Sequence, residues 1–123
     1  WLGGGINEIS AAEAPALAIV ELENTDRYGR VFFDSGSRIT SFKEKSKSSG
    51  AGWINAGLCK LDSEYFEEWS GAAFSMERDL YGPLADEGNI IAVKLQCDFM
   101  DIGVPKDYIK FCHWIKEGKL EKL

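Results

Sequence analysis

The stretch Trp53-Ile54-Asn55-Ala56-Gly57-Leu58-Cys59-Lys60 decides the fold of this 123-residue chain. Its apolar residues predict a buried strand, which Asn55 and Gly57 interrupt near its beginning. A polar amide in an apolar strand costs free energy unless it is paired. Asn55 is therefore bonded to backbone at the strand end, or it binds a ligand for which Gly57 leaves room. The residues favour the two readings equally.

Three further strands are predicted before this stretch. Residues 16–23 have an apolar centre suited to a strand buried on both faces. Residues 28–33 and 38–42 form two strands joined by a hairpin turn, residues 34–37, where a glycine can take a positive φ. The polar segment 43–52 is a loop that either holds ligand groups or only connects strands.

Helices and one more strand are predicted after the stretch. A helix follows residue 63, with Tyr65, Phe66 and Trp69 on one face. A second helix, residues 74–80, is interrupted by Gly82-Pro83. A buried strand at residues 89–96 precedes a last helix, which begins at residue 105 and ends near residue 118. Tyr108, Phe111, Cys112 and Ile115 form the apolar stripe of that last helix. Strands and helices mix, which predicts an α/β fold with a mixed sheet.

Size and charge bound the function classes. The length fits a single domain, residues 1–123, that buries a core without disulfides. The net charge of -6, with both signs mixed along the chain, argues against nucleic-acid binding but not against a small anionic ligand. The three cysteines fit no zinc spacing and are expected to be reduced thiols. Without a membrane-spanning run or an export signal, we expect a cytoplasmic protein with no membrane partner.

Residues 1–14 are predicted to be an irregular leader. Gly3-Gly4-Gly5 follows Trp1 and Leu2. A glycine run cradles phosphate only between a strand and a helix, and no strand precedes this one. We therefore expect a flexible or truncated leader, whose Trp1 and Leu2 pack on apolar residues elsewhere.

Two groups of polar residues could carry chemistry. Glu44 and Lys45 follow the third strand, and an adjacent pair of this kind usually has no function. Beside a pocket, however, one could accept hydrogen bonds from hydroxyls while the other neutralises a phosphate. Asp101 is either the N-cap of the last helix or a ligand of Mg²⁺, which prefers a few carboxylates plus substrate phosphates.

Five short motifs occur in the order of one known family. They are Arg27-Tyr28-Gly29-Arg30-Val31, Ile39-Thr40-Ser41-Phe42-Lys43-Glu44-Lys45, Ile54-Asn55-Ala56-Gly57, Ser75-Met76-Glu77-Arg78-Asp79 and Met100-Asp101-Ile102-Gly103-Val104-Pro105. Together they resemble the second half of the sugar-1-phosphate nucleotidyltransferases. Within that family, the nearest resemblance is to the enzymes acting on mannose or heptose 1-phosphate.

The resemblance implies a fold, a reaction and site residues. It implies a partial Rossmann-like nucleotidyltransferase fold, and an enzyme of guanylyl or thymidylyl type with Mg²⁺ as cofactor. A sugar 1-phosphate would attack the α-phosphate of a nucleoside triphosphate, releasing pyrophosphate and forming a nucleotide-sugar. The implied catalytic residues are Lys45, which would meet the sugar phosphate, and Asp101, which would bind the metal. The implied sugar-binding residues are Gly29, Glu44, Asn55 and Gly57.

Parts of the family pattern have no counterpart in this sequence. These are the Gly-rich loop that wraps the triphosphate and the first metal-binding aspartate. Ser46 and Val104 also stand where proline and threonine are usual. We therefore expect a truncated enzyme that lacks its triphosphate-binding half. The alternatives are a non-catalytic sugar-phosphate-binding module and a self-associating remnant.

Two structural expectations follow from this reading. A sheet cut from a larger sheet has an open edge, and open edges pair with other chains, so we expect a homodimer or larger assembly. The pair Glu44-Lys45, the amide of Asn55 and the carboxylate of Asp101 must also face a common hollow.

Overall fold

The computed structural model describes residues 1–47 and 50–119, and their strands form one mixed sheet. The strands are β1 Ala16–Leu22, β2 Arg30–Phe33, β3 Ile39–Lys43, β4 Gly52–Lys60 and β5 Ile91–Leu95. Their order across the sheet is β3-β2-β4-β1-β5. β1 pairs antiparallel with β4 and parallel with β5, which confirms the predicted mixed sheet.

The helices of the described residues are short except for the last. They are α1 Ile6–Ala11, a 3-10 helix at Ser63–Phe66, a π-helix at Met76–Tyr81, α2 Gly82–Asp86 and α3 Pro105–Lys116. In residues 1–47 and 50–119, no helix has the length and apolar character that crossing a membrane requires.

β1 lies between two apolar layers. Its first five residues are at most 1% exposed. Leu17 and Ile19 pack in one layer with residues of β2, β3, the π-helix and α2. Ala18 and Val20 pack in the other layer, with Ile9 of α1. Because side chains alternate across a strand, a continuous apolar run is what burial on both faces requires, and this prediction is confirmed.

Asp34 shapes the predicted hairpin between β2 and β3. Its Oδ1 accepts hydrogen bonds from the backbone N–H groups of Gly36 and Arg38, each at 2.9 Å. The positive φ of the turn, 62°, belongs to Ser37. The expectation that a glycine supplies it is therefore wrong, because the aspartate side chain holds the turn instead.

The two outermost strands of the sheet are joined at one end. The N–H of Ile39 donates to the carbonyl of Ile90 at 2.9 Å, and the N–H of Ala92 donates to the carbonyl of Ser37 at 2.7 Å. These bonds engage backbone groups that an open edge leaves unpaired. The expectation of an open edge, from which a homodimer was inferred, is wrong for this end of the sheet.

The helices in the middle of the chain differ from those predicted. The helix after residue 63 is only one 3-10 turn, and Tyr65 and Trp69 are exposed. Short helices depend on tertiary packing, and these two side chains have no apolar layer to pack against. Gly82-Pro83 does not interrupt the next helix, because the π-helix runs directly into α2. The missing N–H of Pro83 is tolerated in a first turn.

The first residues are not an irregular leader. They contain α1, which buries Ile9 against the sheet. The expected packing of Trp1 is confirmed, since its ring centroid lies 5.5 Å from that of Phe111 and 5.9 Å from that of Trp114. Trp114 of α3 is accordingly half-buried, whereas Tyr108 and Ile115 of the predicted stripe are exposed. Trp1 thus supplies an aromatic contact for α3.

Candidate functional site

A cavity of about 630 Å³ opens where β2 begins and β3 ends. We call it the first pocket. The other walls come from β4 and from the helical segment between Ser75 and Asp86. Four of the six predicted site residues line it: Gly29, Glu44, Lys45 and Asn55. Its volume falls in the range of pockets that bind small molecules.

Charged side chains of both signs line the first pocket. The cations are Arg30, Lys43, Lys45 and Arg78, and the carboxylates are Glu44, Glu77 and Asp86. Four cations against three carboxylates leave one net positive charge. Carboxylates accept hydrogen bonds from hydroxyls, and cations pair with phosphate, so this lining suits a ligand that carries both groups.

Glu44 and Lys45 lie directly after the end of β3. Both are exposed, and both line the first pocket. The strand places them there because β3 ends beside the beginning of β2, to which it is antiparallel. The predicted pair is therefore next to a pocket, which is the condition under which it was expected to have a function.

Asn55 and Gly57 form a bulge in β4. Ile19 pairs with Asn55 and Leu17 with Cys59, so that one residue of β1 faces three of β4. Gly57 has a φ of 77°, a left-handed conformation that glycine adopts without strain. Its N–H donates to Oδ1 of Asn55 at 2.8 Å. The asparagine thus satisfies a backbone donor that the bulge removes from the ladder.

The amide nitrogen of Asn55 reaches a pocket residue. Nδ2 donates to Oε1 of Glu77 at 3.2 Å. The oxygen of the Asn55 side chain therefore bonds to the β4 backbone, and its nitrogen bonds to a residue of the pocket. The two alternatives for Asn55, a backbone contact and a role at a binding site, thus each describe one of its contacts. Gly57 does not line the first pocket, and a Cβ there would meet nothing within 4 Å. Its left-handed backbone, rather than room for a ligand, explains the glycine.

Gly29 lines the first pocket at the beginning of β2. A Cβ at this position would lie 3.0 Å from the carbonyl oxygen of Lys43, closer than real Cβ atoms normally approach. The glycine thus allows the backbone before β2 to lie against β3. It also leaves the pocket wall without a side chain at this point.

Asp101 lies in a second pocket of about 600 Å³. Its Oδ1 accepts a hydrogen bond from the N–H of Gly103 at 3.2 Å. The expectation of a common hollow is therefore wrong for Asp101, although it holds for Glu44, Lys45 and Asn55. Asp101 lies in the loop between β5 and α3, whereas Glu44 and Lys45 follow β3 and Asn55 lies in β4.

Arg27 and Tyr28 line the second pocket and are held in place by aromatic and charged contacts. Arg27 pairs with Asp107, which raises the pKa of the guanidinium. Tyr28 packs edge-on against Phe99, with ring centroids 5.8 Å apart. Burial raises the pKa of the Tyr28 hydroxyl. Within residues 1–47 and 50–119, no three acidic, histidine or cysteine side chains are grouped so that they could hold a metal ion.

Glu77 and Arg78 both line the first pocket, although neither is among the site residues predicted from the sequence. The turn that carries them is fixed by Ser75, whose Oγ accepts from the N–H of Arg78 at 3.2 Å and whose N–H donates to Asp79 at 2.8 Å. Arg78 also donates two hydrogen bonds to Asp79, of 2.8 and 3.0 Å, which hold the pKa of that carboxyl below its usual value. The signal was the fourth motif, Ser75 to Asp79.

The chain is similar to a known protein family and to several curated proteins. The family model described as "Nucleotidyl transferase" matches residues 6–117. Probable mannose-1-phosphate guanylyltransferase 3 of Arabidopsis thaliana is 33% identical over 104 residues, which are 84% of this chain and 31% of that protein. Mannose-1-phosphate guanyltransferase beta-B of Xenopus laevis is 31% identical over 94 residues, 76% of this chain and 26% of that protein.

Solved structures give the same result for the fold. The crystal structure of HddC from Yersinia pseudotuberculosis superposes with a TM-score of 0.72 at 31% identity, covering 89% of this chain and 47% of that one. HddC complexed with GMP-PN gives a TM-score of 0.70 at 29% identity. The predicted Rossmann-like α/β fold is confirmed. The chain spans less than half of this solved relative and about a third or less of the two curated ones.

The family model covers nearly the whole chain, and it includes α1 and α3 as well as the sheet. The chain therefore belongs to the nucleotidyl transferase family, the family of the sugar-1-phosphate nucleotidyltransferases.

Proposed function

We propose that the first pocket binds a sugar 1-phosphate, and that the chain supplies the sugar-phosphate half of a nucleotide-sugar-forming transferase. The observation that carries the proposal is that Gly29, Glu44, Lys45 and Asn55 line one cavity. The names of the relatives, which act on mannose 1-phosphate, support mannose 1-phosphate as the first ligand to test.

The charges of the pocket suit the two parts of such a ligand. The carboxylate of Glu44 would accept hydrogen bonds from ring hydroxyls, and the ammonium group of Lys45 would neutralise the phosphate. Gly29 would let the sugar approach the backbone, and Gly57 would act only by holding Asn55. Phosphoryl transfer depends mainly on positioning and charge neutralisation, so residues that hold the sugar phosphate in line contribute directly to the rate.

Asp101 fits a Mg²⁺ site only in part. Mg²⁺ is usually bound by one or two carboxylates, with phosphate oxygens and water completing the shell. Asp101 has one oxygen bonded to Gly103, which leaves the other for such an ion. It would supply one ligand, and the ion, when bound, would neutralise charge on the phosphates of a nucleoside triphosphate.

A second candidate function is sugar-phosphate binding without catalysis. It is favoured by the position of Asp101, which lines a different pocket from Glu44 and Lys45. The structure of HddC with GMP-PN supports a guanine nucleotide as the second substrate if the chain is active. A cytoplasmic location, a homodimer and the absence of nucleic-acid partners remain predictions.

Isothermal titration with mannose 1-phosphate tests the proposal. We expect saturable binding. Lys45→Ala should weaken this binding at least tenfold, or about 1.4 kcal/mol, because it leaves the phosphate charge without its cation. Lys106→Ala is the matched control, since this exposed lysine lines neither pocket, and it should bind like the original chain.

Pyrophosphate release after adding GTP and Mg²⁺ then separates the two candidates. Release supports the transferase, and binding without release supports the binding module. Absence of any binding of mannose 1-phosphate or another sugar 1-phosphate to the original chain would contradict both.

A further inference from the structure

The backbone of β4 fixes the orientation of the Asn55 amide. The N–H of Gly57 can bond only to an acceptor, and it bonds to Oδ1 of Asn55 at 2.8 Å. The amide nitrogen therefore has to point the other way, where Oε1 of Glu77 accepts from it at 3.2 Å. The bulge thus determines which end of the asparagine faces Glu77.

Glu77 is in turn placed by two independent contacts. One is the hydrogen bond from Asn55. The other is the capped turn, in which the N–H of Asp79 donates to the carbonyl of Ser75 at 2.8 Å while the Ser75 hydroxyl caps Arg78. Glu77 is exposed and lines the first pocket. Asn55 engages one of its carboxylate oxygens, and the other can accept from a ligand in the pocket.

We propose that Glu77 is a specificity-determining residue of the first pocket: its carboxylate accepts a hydrogen bond from a ring hydroxyl of the sugar 1-phosphate. Asn55 is then a positioning residue, which acts through Glu77 instead of contacting the sugar. This inference rests on the function proposed above. With Glu44 it gives the pocket two carboxylates for hydroxyls, while Lys45 serves the phosphate.

The chemistry predicts discrimination by hydroxyl groups. A hydrogen bond to a carboxylate is about twice as strong as one between neutral groups. A sugar that lacks the matching hydroxyl leaves the carboxylate without its donor, and affinity falls. Inorganic phosphate has no ring hydroxyl, so Glu77 should not affect its binding.

Titrations of the full chain with mannose 1-phosphate, its monodeoxy analogues and inorganic phosphate test the inference. We expect Glu77→Gln to weaken the binding of mannose 1-phosphate about tenfold and to leave the binding of inorganic phosphate unchanged. One deoxy analogue should bind the original chain as weakly as mannose 1-phosphate binds Glu77→Gln. That analogue should then bind Glu77→Gln no more weakly than it binds the original chain. Glu64→Gln, an exposed carboxylate outside both pockets, is the control and should change nothing.

Asn55→Asp tests the positioning role without removing the bulge contact. The aspartate keeps an acceptor for Gly57 but loses the donor to Glu77. Asn55→Asp should therefore weaken the binding of mannose 1-phosphate to the original chain, but not to Glu77→Gln. Circular dichroism establishes that each variant is folded. In Glu77→Gln, the signals of the Asn55 side-chain amide give a second check. A further loss from Asn55→Asp in the Glu77→Gln background would overturn the positioning role.

The outcomes separate this inference from the proposed function. If Glu77→Gln binds mannose 1-phosphate like the original chain while Lys45→Ala does not, Glu77 has no such role and the proposed function stands. If the original chain binds no sugar 1-phosphate, both are overturned.

Discussion

Arg27 and Asp107 form an ion pair that joins the segment before β2 to the first turn of α3. The two residues are 80 positions apart, so the pair closes a long loop. Asp107 is largely buried, with 19% of its side chain exposed, whereas Arg27 is half exposed at 49%. Together with the contact of Trp1 against Phe111 and Trp114, this pair attaches α3 to the rest of the domain.

Asp107→Asn should loosen α3 more than it lowers global stability. Because Arg27 is half exposed and screened by solvent, the free energy of unfolding should fall by no more than about 1 kcal/mol. Hydrogen exchange of the α3 amides should accelerate, since the helix loses one of its attachments. Glu117→Gln, which breaks an exposed pair with Lys119, is the control. Unchanged exchange in Asp107→Asn would show that the aromatic contact suffices.

Gly57→Ala should destabilise the protein through its backbone alone. The residue has a φ of 77°, and a Cβ there meets no atom within 4 Å. The substitution therefore adds backbone strain without a steric clash. We expect a loss of about 1–2 kcal/mol in urea denaturation. Gly57→Asn should lose less, because asparagine tolerates this conformation better than alanine. Equal stability of all three proteins would mean that β4 can flatten its bulge.

Ile19→Ala should be among the most damaging single substitutions. The side chain is fully buried between β1 and the π-helix layer, and removing it leaves a cavity. We expect a loss of about 2–5 kcal/mol, a large part of the stability of a small domain. Ile109→Ala on α3 is the matched control, since its side chain is 58% exposed. A loss of less than 1 kcal/mol at Ile19 would contradict the two-layer core.

The reactivity of Cys97 should depend on pH in a defined direction. Burial raises the pKa of its thiol, against a smaller opposing effect of the Gly3 N–H. Its alkylation by iodoacetamide, followed by mass spectrometry, should therefore reach half of its maximal rate at a higher pH than in the urea-unfolded chain. The corresponding contribution to stability is present below the unfolded thiol's pKa and is lost as pH rises through the raised value. Identical profiles in the two states would refute the burial.

The strands could be predicted because their patterns are local. The apolar run of β1 and the residues around the hairpin of Asp34 specify elements that need no knowledge of distant partners. The short extent of the helix after residue 63 could not be predicted, since a longer helix depends on tertiary packing and Trp69 is exposed. The helix within residues 1–14 was missed because α1 is short and the run Gly3-Gly4-Gly5 before it suggested a loop.

The site could be predicted in part for the same reason. Glu44, Lys45 and Asn55 come together because β3, which ends just before the pair, and β4, which carries Asn55, lie on either side of β2. Asp101 follows β5, which lies at the opposite edge of the sheet from β3. No local pattern of the sequence shows which pocket this aspartate lines. Glu77 was overlooked because its partner, Asn55, is 22 positions away and the bond depends on a bulge.

Tyr28 and Gly29 are consecutive residues, yet each lines a different pocket. The peptide unit that joins them therefore borders both the cavity with Glu44 and Lys45 and the cavity with Asp101. An occupant of one cavity that displaced this unit would therefore move part of the wall of the other.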